Sequence, residues 1–257
     1  MSALPAQGWL AHATRPLGRA LRALIEVVYP PACIACGRAI GTPHGLCSGC
    51  WAGLSFIERP YCERLGTPFA VDHGLSLVSP AALADPPVYA RARAVARYEE
   101  TARTLVHRLK YADRLDTARA LGTMLARAGA EIARDCDVIL PVPLHHSRLW
   151  WRRYNQSMEL ARPLAEASGK PLDATLLLRV KRTAPQVGLS RNQRGLNLQG
   201  AFRVPPEARP RLKGRRVLLV DDVITTGATA NAASRVLLRA GASAVDVIAF
   251  ARVVQET

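Results

Sequence analysis

Two adjacent acids, Asp221 and Asp222, follow an apolar run near the end of the chain and precede a turn of small residues. The apolar run, residues 217–220, is typical of a buried strand, and residues 230–239 have helical composition. A turn between such a strand and such a helix presents backbone N–H groups at the helix N-terminus, where they favour an anion. Residues 225–229 are therefore predicted to form a phosphate cradle.

The acids and the turn offer complementary chemistry. Gly227 lets the backbone approach a phosphate closely, and the neighbouring threonine hydroxyls add donors. The acids cannot hold a phosphate, because like charges repel, but they suit hydroxyl groups, and a ribose 5′-phosphate has both parts. The alternative is an unrelated strand–turn–helix with acids present by chance. A P-loop site is not indicated, since the chain has no G-x-x-x-x-G-K-[ST].

These residues resemble the signature by which type I phosphoribosyltransferases bind phosphoribosyl pyrophosphate (PRPP). That signature consists of a hydrophobic strand, two acids and a T-T/S-G-x-T loop. The resemblance implies that Asp221 and Asp222 are the catalytic acids and hold the ribose 2′- and 3′-hydroxyls. It also implies that the loop holds the 5′-phosphate. The loop residues are Thr225, Thr226, Gly227, Ala228 and Thr229. In that chemistry the bond from C1 to pyrophosphate breaks through an oxocarbenium-like state, and Mg²⁺ bound with PRPP stabilises the departing group.

Four of the six cysteines form two C-x2-C pairs with ten residues between them. These four are Cys33, Cys36, Cys47 and Cys50. In an intracellular protein this pattern indicates a tetrahedral zinc site rather than disulfides. Because all four ligands come from the protein, no position is left for water, and the zinc is expected to be structural.

The two remaining cysteines are predicted to bind no metal. Cys62 begins a stretch like the first C-x2-C-G, but Leu65 stands where the partner cysteine would be. Cys62 is therefore interpreted as an orphan. Cys136 precedes the apolar run 138–140 and is expected to be an inert thiol at the edge of the core.

The remaining pattern predicts an α/β protein. Apolar strand-like runs alternate with helical stretches from residue 88 onward, which implies a mostly parallel sheet with helices on both faces. Strands are expected near 88–98, 138–142, 176–180, 217–220 and 244–252, and helices at 99–110, 117–134, 155–168 and 230–240. Pro163 is expected to bend or interrupt its helix. We expect an amphipathic helix in 1–29, a small four-cysteine zinc module at 30–78, a linker at 79–87, and a type I phosphoribosyltransferase-like domain at 88–257.

Two further loops are expected to converge on the acids, because ligands bind at the carboxyl ends of parallel strands. Residues 141–156 contain Arg148, Arg152 and Arg153, whose guanidinium groups suit pyrophosphate oxygens. A solvated basic loop is an equally good interpretation of any single one of them. Residues 181–197 form a polar stretch that is predicted to be a lid. Its candidate ligands are Lys181, Arg182, Gln186, Arg191, Arg194 and Asn197.

The composition points to anionic partners. The chain of 257 residues has a formal net charge of +15 at pH 7, which fits pyrophosphate-bearing ligands, nucleic acid, or both. No apolar run is long enough to span a bilayer, so stable membrane insertion is not expected. The first residues lack the order of a signal peptide, and a cytoplasmic location is predicted.

Taken together, residues 30 to 252 resemble the ComF family of competence-associated proteins, close to the predicted amidophosphoribosyltransferase group. The matching segments are the cysteine pairs, residues 107–111, 141–144, 153–156 and 194–197, and the PRPP loop. Two features differ: the family often has a second C-x-x-C where this chain has only Cys62, and it commonly has R-G-F-N-Q where residues 153–156 lack the glycine. The resemblance implies a PRPP-binding phosphoribosyltransferase with a role in DNA uptake, alongside DNA-uptake proteins.

The alternative function is a binding protein without turnover. Trp150, Trp151 and Tyr154 are interleaved with the three arginines, a composition suited to stacking unpaired bases of single-stranded DNA. The same tryptophans would instead pack their loop against the sheet if their role were structural. The sequence leaves both alternatives open.

Overall fold

The computed structural model describes residues 30–70, 78–111, 115–182 and 197–254. The helix expected in 1–29 lies outside these ranges. So do residues 183–196 of the expected lid, including Gln186, Arg191 and Arg194.

Parallel strands form the centre of the described structure. The strands are β1 (Ala92–Arg97), β2 (Val138–Pro141), β3 (Leu178–Arg179), β4 (Phe202–Arg203), β5 (Arg216–Ile224) and β6 (Ala244–Arg252). Four of them form a sheet in the order β1-β6-β5-β2, and every pairing in it is parallel. The short strands β3 and β4 pair antiparallel in a separate ribbon. The expected parallel sheet is confirmed, with β6 at the expected bounds.

Helices connect and cover these strands. Those of the described residues are α1 (Ser48–Ala52), α2 (Pro80–Ala84), α3 (Glu100–Tyr111), α4 (Leu115–Ala128), α5 (Ala130–Arg134), α6 (His146–Arg152), α7 (Gln156–Ser168), α8 (Arg209–Leu212) and α9 (Ala228–Arg239). A short 3₁₀ turn, Pro206–Ala208, precedes α8. None of the helices in the described part of the chain has the length and apolarity that a membrane crossing requires.

Three helical expectations need correction. The expected helix 117–134 is interrupted at Gly129 and becomes α4 and α5. Pro163 does not interrupt α7, which is continuous around it. A Cβ on Gly122 would lie only 2.6 Å from Pro163 Cγ, so this glycine of α4 leaves room for the proline ring. The expected linker at 79–87 contains α2.

Alternating side chains of the central strands belong to two hydrophobic cores, one on each face of the sheet. In β5, Leu218 and Val220 belong to the core beneath α3, α4 and α7, while Val217 and Leu219 belong to the core beneath α9. This alternation follows from the two-residue period of a strand with both faces covered. The burial of both faces explains why residues 217–220 form an uninterrupted apolar run.

The fold opens a crevice at the carboxyl ends of β2 and β5, which are neighbours in the sheet. The helix α7, which follows β2 after α6, packs on one face, and α9, which follows β5, packs on the other. Two neighbouring strands whose connections leave to opposite faces create the crevice in which α/β proteins bind ligands. The sheet thus brings the loops after β2 and β5 together.

Candidate ligand site and metal centre

The strand β5 continues through both acids to Ile224, and Asp221 still pairs with Ala249 of β6. The turn then reaches Gly227, which has a φ of 78°, and α9 begins at Ala228, two residues before the expected start. Gly227 is the N-cap residue, and it makes no side-chain cap hydrogen bond to this helix terminus. The first N–H groups of α9 are therefore available for an anion, as the sequence pattern predicts.

The turn fits a bound phosphate in two further respects. A Cβ at Gly227 would lie 3.2 Å from the hydroxyl oxygen of Tyr89, in a conformation that other residues rarely adopt. The hydroxyl of Thr226 is buried and has no hydrogen-bond partner among the residues that the structure describes. Because a buried hydroxyl normally finds a partner, this donor suits an oxygen of an anion in the turn.

The two acids are held by groups from three elements. The hydroxyl of Ser157 on α7 donates to Asp221 Oδ1 over 3.3 Å, and the backbone N–H of Asp222 donates to the same oxygen over 2.9 Å. The ammonium of Lys110, in the last turn of α3, lies 3.0 Å from Asp222 Oδ2. Burial, and next the carboxylate of Asp222, raise the pKa of Asp221 to about 7. Sequence reasoning missed Lys110 and Ser157 as site residues, although Lys110 lies within the family-like segment 107–111.

Several cations lie near one another, and one of them, Arg179, lies near Asp221. Arg179 on β3 is largely buried, and burial followed by the charge of Arg148 lowers its pKa, while Asp221 acts in the opposite direction. Burial, with His146, Arg179 and other cations nearby, likewise lowers the pKa of His145. Like charges this close favour an anionic ligand between them. Arg148 and Asp221 thus both act on Arg179, a residue that sequence reasoning did not identify.

The other two predicted arginines have different positions. Arg152 donates to Gln156 Oε1 over 3.2 Å, which ties it to the start of α7. Arg153 is exposed and ends α6 in the left-handed conformation, with a φ of 65°. Glycine, which the ComF family commonly has in this segment, adopts such a positive φ without strain.

The segment after Arg153 anchors the loop to its neighbours. The hydroxyl of Tyr154 donates to the carbonyl of Leu109 on α3. Asn155 donates through Nδ2 to the carbonyl of Val142 over 3.1 Å, and its Oδ1 accepts from the N–H of Ser157 to cap α7. The loop is consequently fastened to α3 and to the end of β2.

A helix occupies the part of this loop that was expected to be irregular. The side chain of His145 caps α6 by accepting from the N–H of Ser147 over 3.3 Å. Trp150 and Trp151 are 85% and 67% exposed, so they do not pack the loop against the sheet. The structural interpretation of these two tryptophans is wrong.

The four predicted metal ligands converge. The Sγ atoms of Cys33, Cys36, Cys47 and Cys50 all lie within 4.8 Å of one another, and those of Cys36 and Cys47 are 3.7 Å apart. A tetrahedral zinc with bonds of about 2.3 Å needs sulfur atoms about 3.8 Å apart. Burial and its cysteine neighbours raise the pKa of Cys50 to about 12, so a bound cation would favour the thiolate form of this ligand. The donor set fits structural zinc.

A second ribbon repeats the backbone of the first without its ligands. In the first, Cys33 accepts from Gly37 N–H through its carbonyl, and its sulfur accepts from Cys47 N–H. In the second, the carbonyl of Cys62 accepts from Gly66 N–H, and its sulfur accepts from Ser79 N–H over 3.2 Å. Cys47 and Ser79 are the N-cap residues of the five-residue helices α1 and α2.

This correspondence aligns four positions. Cys62, Leu65, Ser79 and Ala82 take the places of Cys33, Cys36, Cys47 and Cys50. The second ribbon therefore has one thiol where the first has four. Cys62 and Cys136 are both buried. Burial raises the pKa of Cys136 to about 11.

Comparison with known proteins gives the same division of the chain. A family model for the double zinc ribbon domain matches residues 24–81, and a model for the phosphoribosyl transferase domain matches residues 125–257. Among solved structures, the glutamine PRPP amidotransferase of Bacillus subtilis covers 56% of this chain and 30% of its own, with 26% identity and a TM-score of 0.38.

Curated relatives match nearly end to end. The chain is 33% identical to DNA utilization protein YhgH of Escherichia coli K12, over 87% of this chain and 97% of the relative. It is also 33% identical to Competence protein F of Haemophilus influenzae, over 86% of this chain and 96% of the relative. The chain belongs to the ComF family, in which a double zinc ribbon precedes a phosphoribosyltransferase domain.

Proposed function

We propose that this chain binds PRPP, or a related phosphoribosyl ligand, in the crevice between β2 and β5. The observation that carries the proposal is the acid pair at the end of β5, directly before an uncapped helix N-terminus. The carboxylates of Asp221 and Asp222 would accept from the two ribose hydroxyls, and residues 225–229 would donate to the 5′-phosphate. Arg148 and Arg179 would face the pyrophosphate, since Arg179 interacts with the charges of both Arg148 and Asp221.

The reaction that fits this arrangement is phosphoribosyl transfer. The bond between ribose C1 and the pyrophosphate oxygen breaks with its electron pair leaving on pyrophosphate, and an acceptor nucleophile forms the new bond to C1. Cations placed where this charge develops lower the barrier. Mg²⁺ bound to the pyrophosphate would add to that stabilisation. The names of the relatives, DNA utilization protein and Competence protein F, support a role in the uptake or use of DNA.

The ribose role of the acids has a direct test. In the double variant Asp221→Ala/Asp222→Ala, PRPP binding should weaken by roughly 2–4 kcal/mol, because two charge-assisted hydrogen bonds are lost. Pyrophosphate has no ribose hydroxyls, and its binding should weaken far less or become tighter. Titration calorimetry of both ligands measures the difference.

A matched control removes two acids elsewhere. Glu166 and Glu207 are exposed, so Glu166→Ala/Glu207→Ala changes the net charge equally without touching the crevice. Equal losses for PRPP and pyrophosphate in the acid-pair variant would contradict the assigned roles. Turnover is tested separately by pyrophosphate release from PRPP with a panel of amines and nucleobases, and binding without release for any acceptor would overturn transfer while leaving binding intact.

The second candidate function is the binding of single-stranded DNA by α6 without turnover. The observation that favours it is the exposure of Trp150 and Trp151 beside arginines on a protein of net charge +15. Exposed aromatic rings stack on unpaired bases, and arginines contact the phosphates.

Replacement of either tryptophan by alanine should weaken single-stranded DNA binding by roughly 1–3 kcal/mol, since a stacking ring is lost. Fluorescence anisotropy over a salt series should also show affinity falling steeply as salt rises. Trp51→Ala is the matched control, because Trp51 is half exposed on the first ribbon. Binding that ignores salt, or that persists in a folded Trp150→Ala/Trp151→Ala variant, would exclude this candidate.

A further inference from the structure

Lys110 is a cation in contact with the acid pair that no part of the proposed PRPP chemistry uses. Its Nζ lies 3.0 Å from Asp222 Oδ2, and the side chains of Lys110 and Asp222 are only 25% and 15% exposed. Burial works against the charge of Lys110, but Asp222 outweighs it and raises the pKa of the ammonium. The pair is therefore an ion pair with little access to water.

The position of Lys110 is fixed by the segment after α6. The hydroxyl of Tyr154 donates to the carbonyl of Leu109, the residue before Lys110. Asn155, which follows Tyr154, donates to the carbonyl of Val142 just after β2. The last turn of α3 is thus joined both to the loop that carries Arg148 and to the acids on β5. A cation held this way acts on the acids without having to be ordered by the ligand.

The surroundings of Asp221 show what this cation does. Asp222, Ser157 and Lys110 lie around its carboxylate. The charges of Asp221 and Arg148 both act on Arg179. Among the residues that the structure describes, Tyr98 also faces Lys110. Adjacent carboxylates repel each other when both are ionised, and a cation nearby reduces that repulsion. Lys110 is the cation that touches the pair from the α3 side.

We propose that Lys110 is a positioning residue of the ribose site, which orients Asp222 and favours the ionised form of both acids, the form that accepts hydroxyl hydrogen bonds best. This inference rests on the proposed PRPP function. It assigns Lys110 to the acids and not to the phosphates, so its loss should affect ligands with a ribose and spare those without one.

The direction in which pH changes ribose binding follows from the ionisation of Asp221. Burial and Asp222 raise the pKa of Asp221 to about 7 even with Lys110 present. An ionised carboxylate accepts a hydroxyl hydrogen bond more strongly than a protonated carboxyl group does, so ribose binding should strengthen as the pH rises through this pKa. Loss of Lys110 raises the pKa further, typically by about one to two units for a neighbouring charge. The gain in ribose binding should then require a higher pH.

The experiment compares Lys110→Met with Lys110→Arg by calorimetry of PRPP and pyrophosphate between about pH 6 and about pH 9. For Lys110→Met, PRPP affinity at neutral pH should fall about tenfold and recover at the alkaline end, with its midpoint about one to two units higher. Lys110→Arg keeps the charge and should keep the wild-type midpoint. Pyrophosphate affinity should stay at the wild-type value at every pH, because pyrophosphate has no ribose.

Two controls separate this role from a general one. Arg127→Met removes one exposed positive charge from α4 and should leave the PRPP profile unchanged. Melting temperature and zinc content check the fold, and Lys110→Gln replaces Lys110→Met if the latter is unfolded. A Lys110→Met or Lys110→Gln profile that coincides with wild type overturns the inference alone. Wild-type protein that does not bind PRPP overturns the proposed function, and the ribose role of Lys110 with it.

Discussion

The two ribbons of the N-terminal region share a backbone but are stabilised differently. Both have a turn with a left-handed glycine, Gly37 or Gly66, and a short helix whose N-cap N–H donates to a cysteine sulfur. The first ribbon supplies four thiols within 4.8 Å, and the second supplies Cys62 alone. The same backbone arrangement therefore forms both around four candidate zinc ligands and around a single cysteine.

Burial and ion pairing take the place of metal in the second ribbon. Cys62 and Ala82 are buried, and the hydroxyl of Ser79 accepts from the N–H of Ala82 to cap α2. Glu63 forms an ion pair of 2.6 Å with the buried Arg93 of β1. In the first ribbon, by contrast, Cys36 is exposed and Cys47 and Cys50 are only partly buried. We therefore expect the ribbon fastened to β1 through Arg93 to stay folded without zinc, and the ribbon with four thiols to depend on it.

The largest expected effect comes from breaking the metal site. Cys36→Ser removes one of four ligands, and structural zinc in isolated zinc modules supplies about 10 kcal/mol or more. Zinc content should fall from one per chain to near zero, and the first ribbon should become sensitive to protease, while PRPP binding survives because the crevice lies on other elements. Metal analysis, limited proteolysis and calorimetry measure the three quantities.

Cys62→Ser is the matched control, since it makes the same chemical change in the second ribbon. It should leave zinc content at one per chain. Wild-type protein prepared without chelator that carries no zinc would contradict the metal site, and two zinc ions per chain would contradict the account of the second ribbon.

Local patterns predicted much of the fold and of the site. The apolar run before the acids identified β5 because both faces of the strand are buried. Residues 225–227 form the turn between β5 and α9, while Ala228 and Thr229 lie in the first turn of α9. The four cysteines were identified because metal ligands repeat at short spacing. Each of these features depends on residues close together in the sequence.

Features that depend on distant contacts were missed. Lys110 and Arg179 come from α3 and β3, and only the assembled sheet brings them to Asp221 and Asp222. The second ribbon was read as an orphan cysteine followed by a linker, because Ser79 and Ala82 carry no metal-ligand signal. Their role emerges only from hydrogen bonds that repeat those of the first ribbon.

A second test of the comparison between the ribbons adds a zinc site to the second one. Its expected effect is a gain in stability that is smaller than the loss in Cys36→Ser. If the second ribbon keeps the geometry of a zinc site, the triple variant Leu65→Cys/Ser79→Cys/Ala82→Cys should complete four thiols with Cys62 and bind a second zinc. The gain in stability should be smaller than the loss in Cys36→Ser, because the native ribbon is already packed on β1 and the substitutions remove buried apolar contacts and the cap of α2. Metal analysis should give two zinc ions per chain. Increasing amounts of chelator should remove the two ions one after the other, and the melting temperature should fall with each removal. Adding Cys62→Ser to the triple variant removes the fourth thiolate and should return the count to one. A triple variant that is folded yet still binds one zinc would show that the second ribbon has lost the geometry as well as the ligands, and the comparison would then hold for the backbone hydrogen bonds alone.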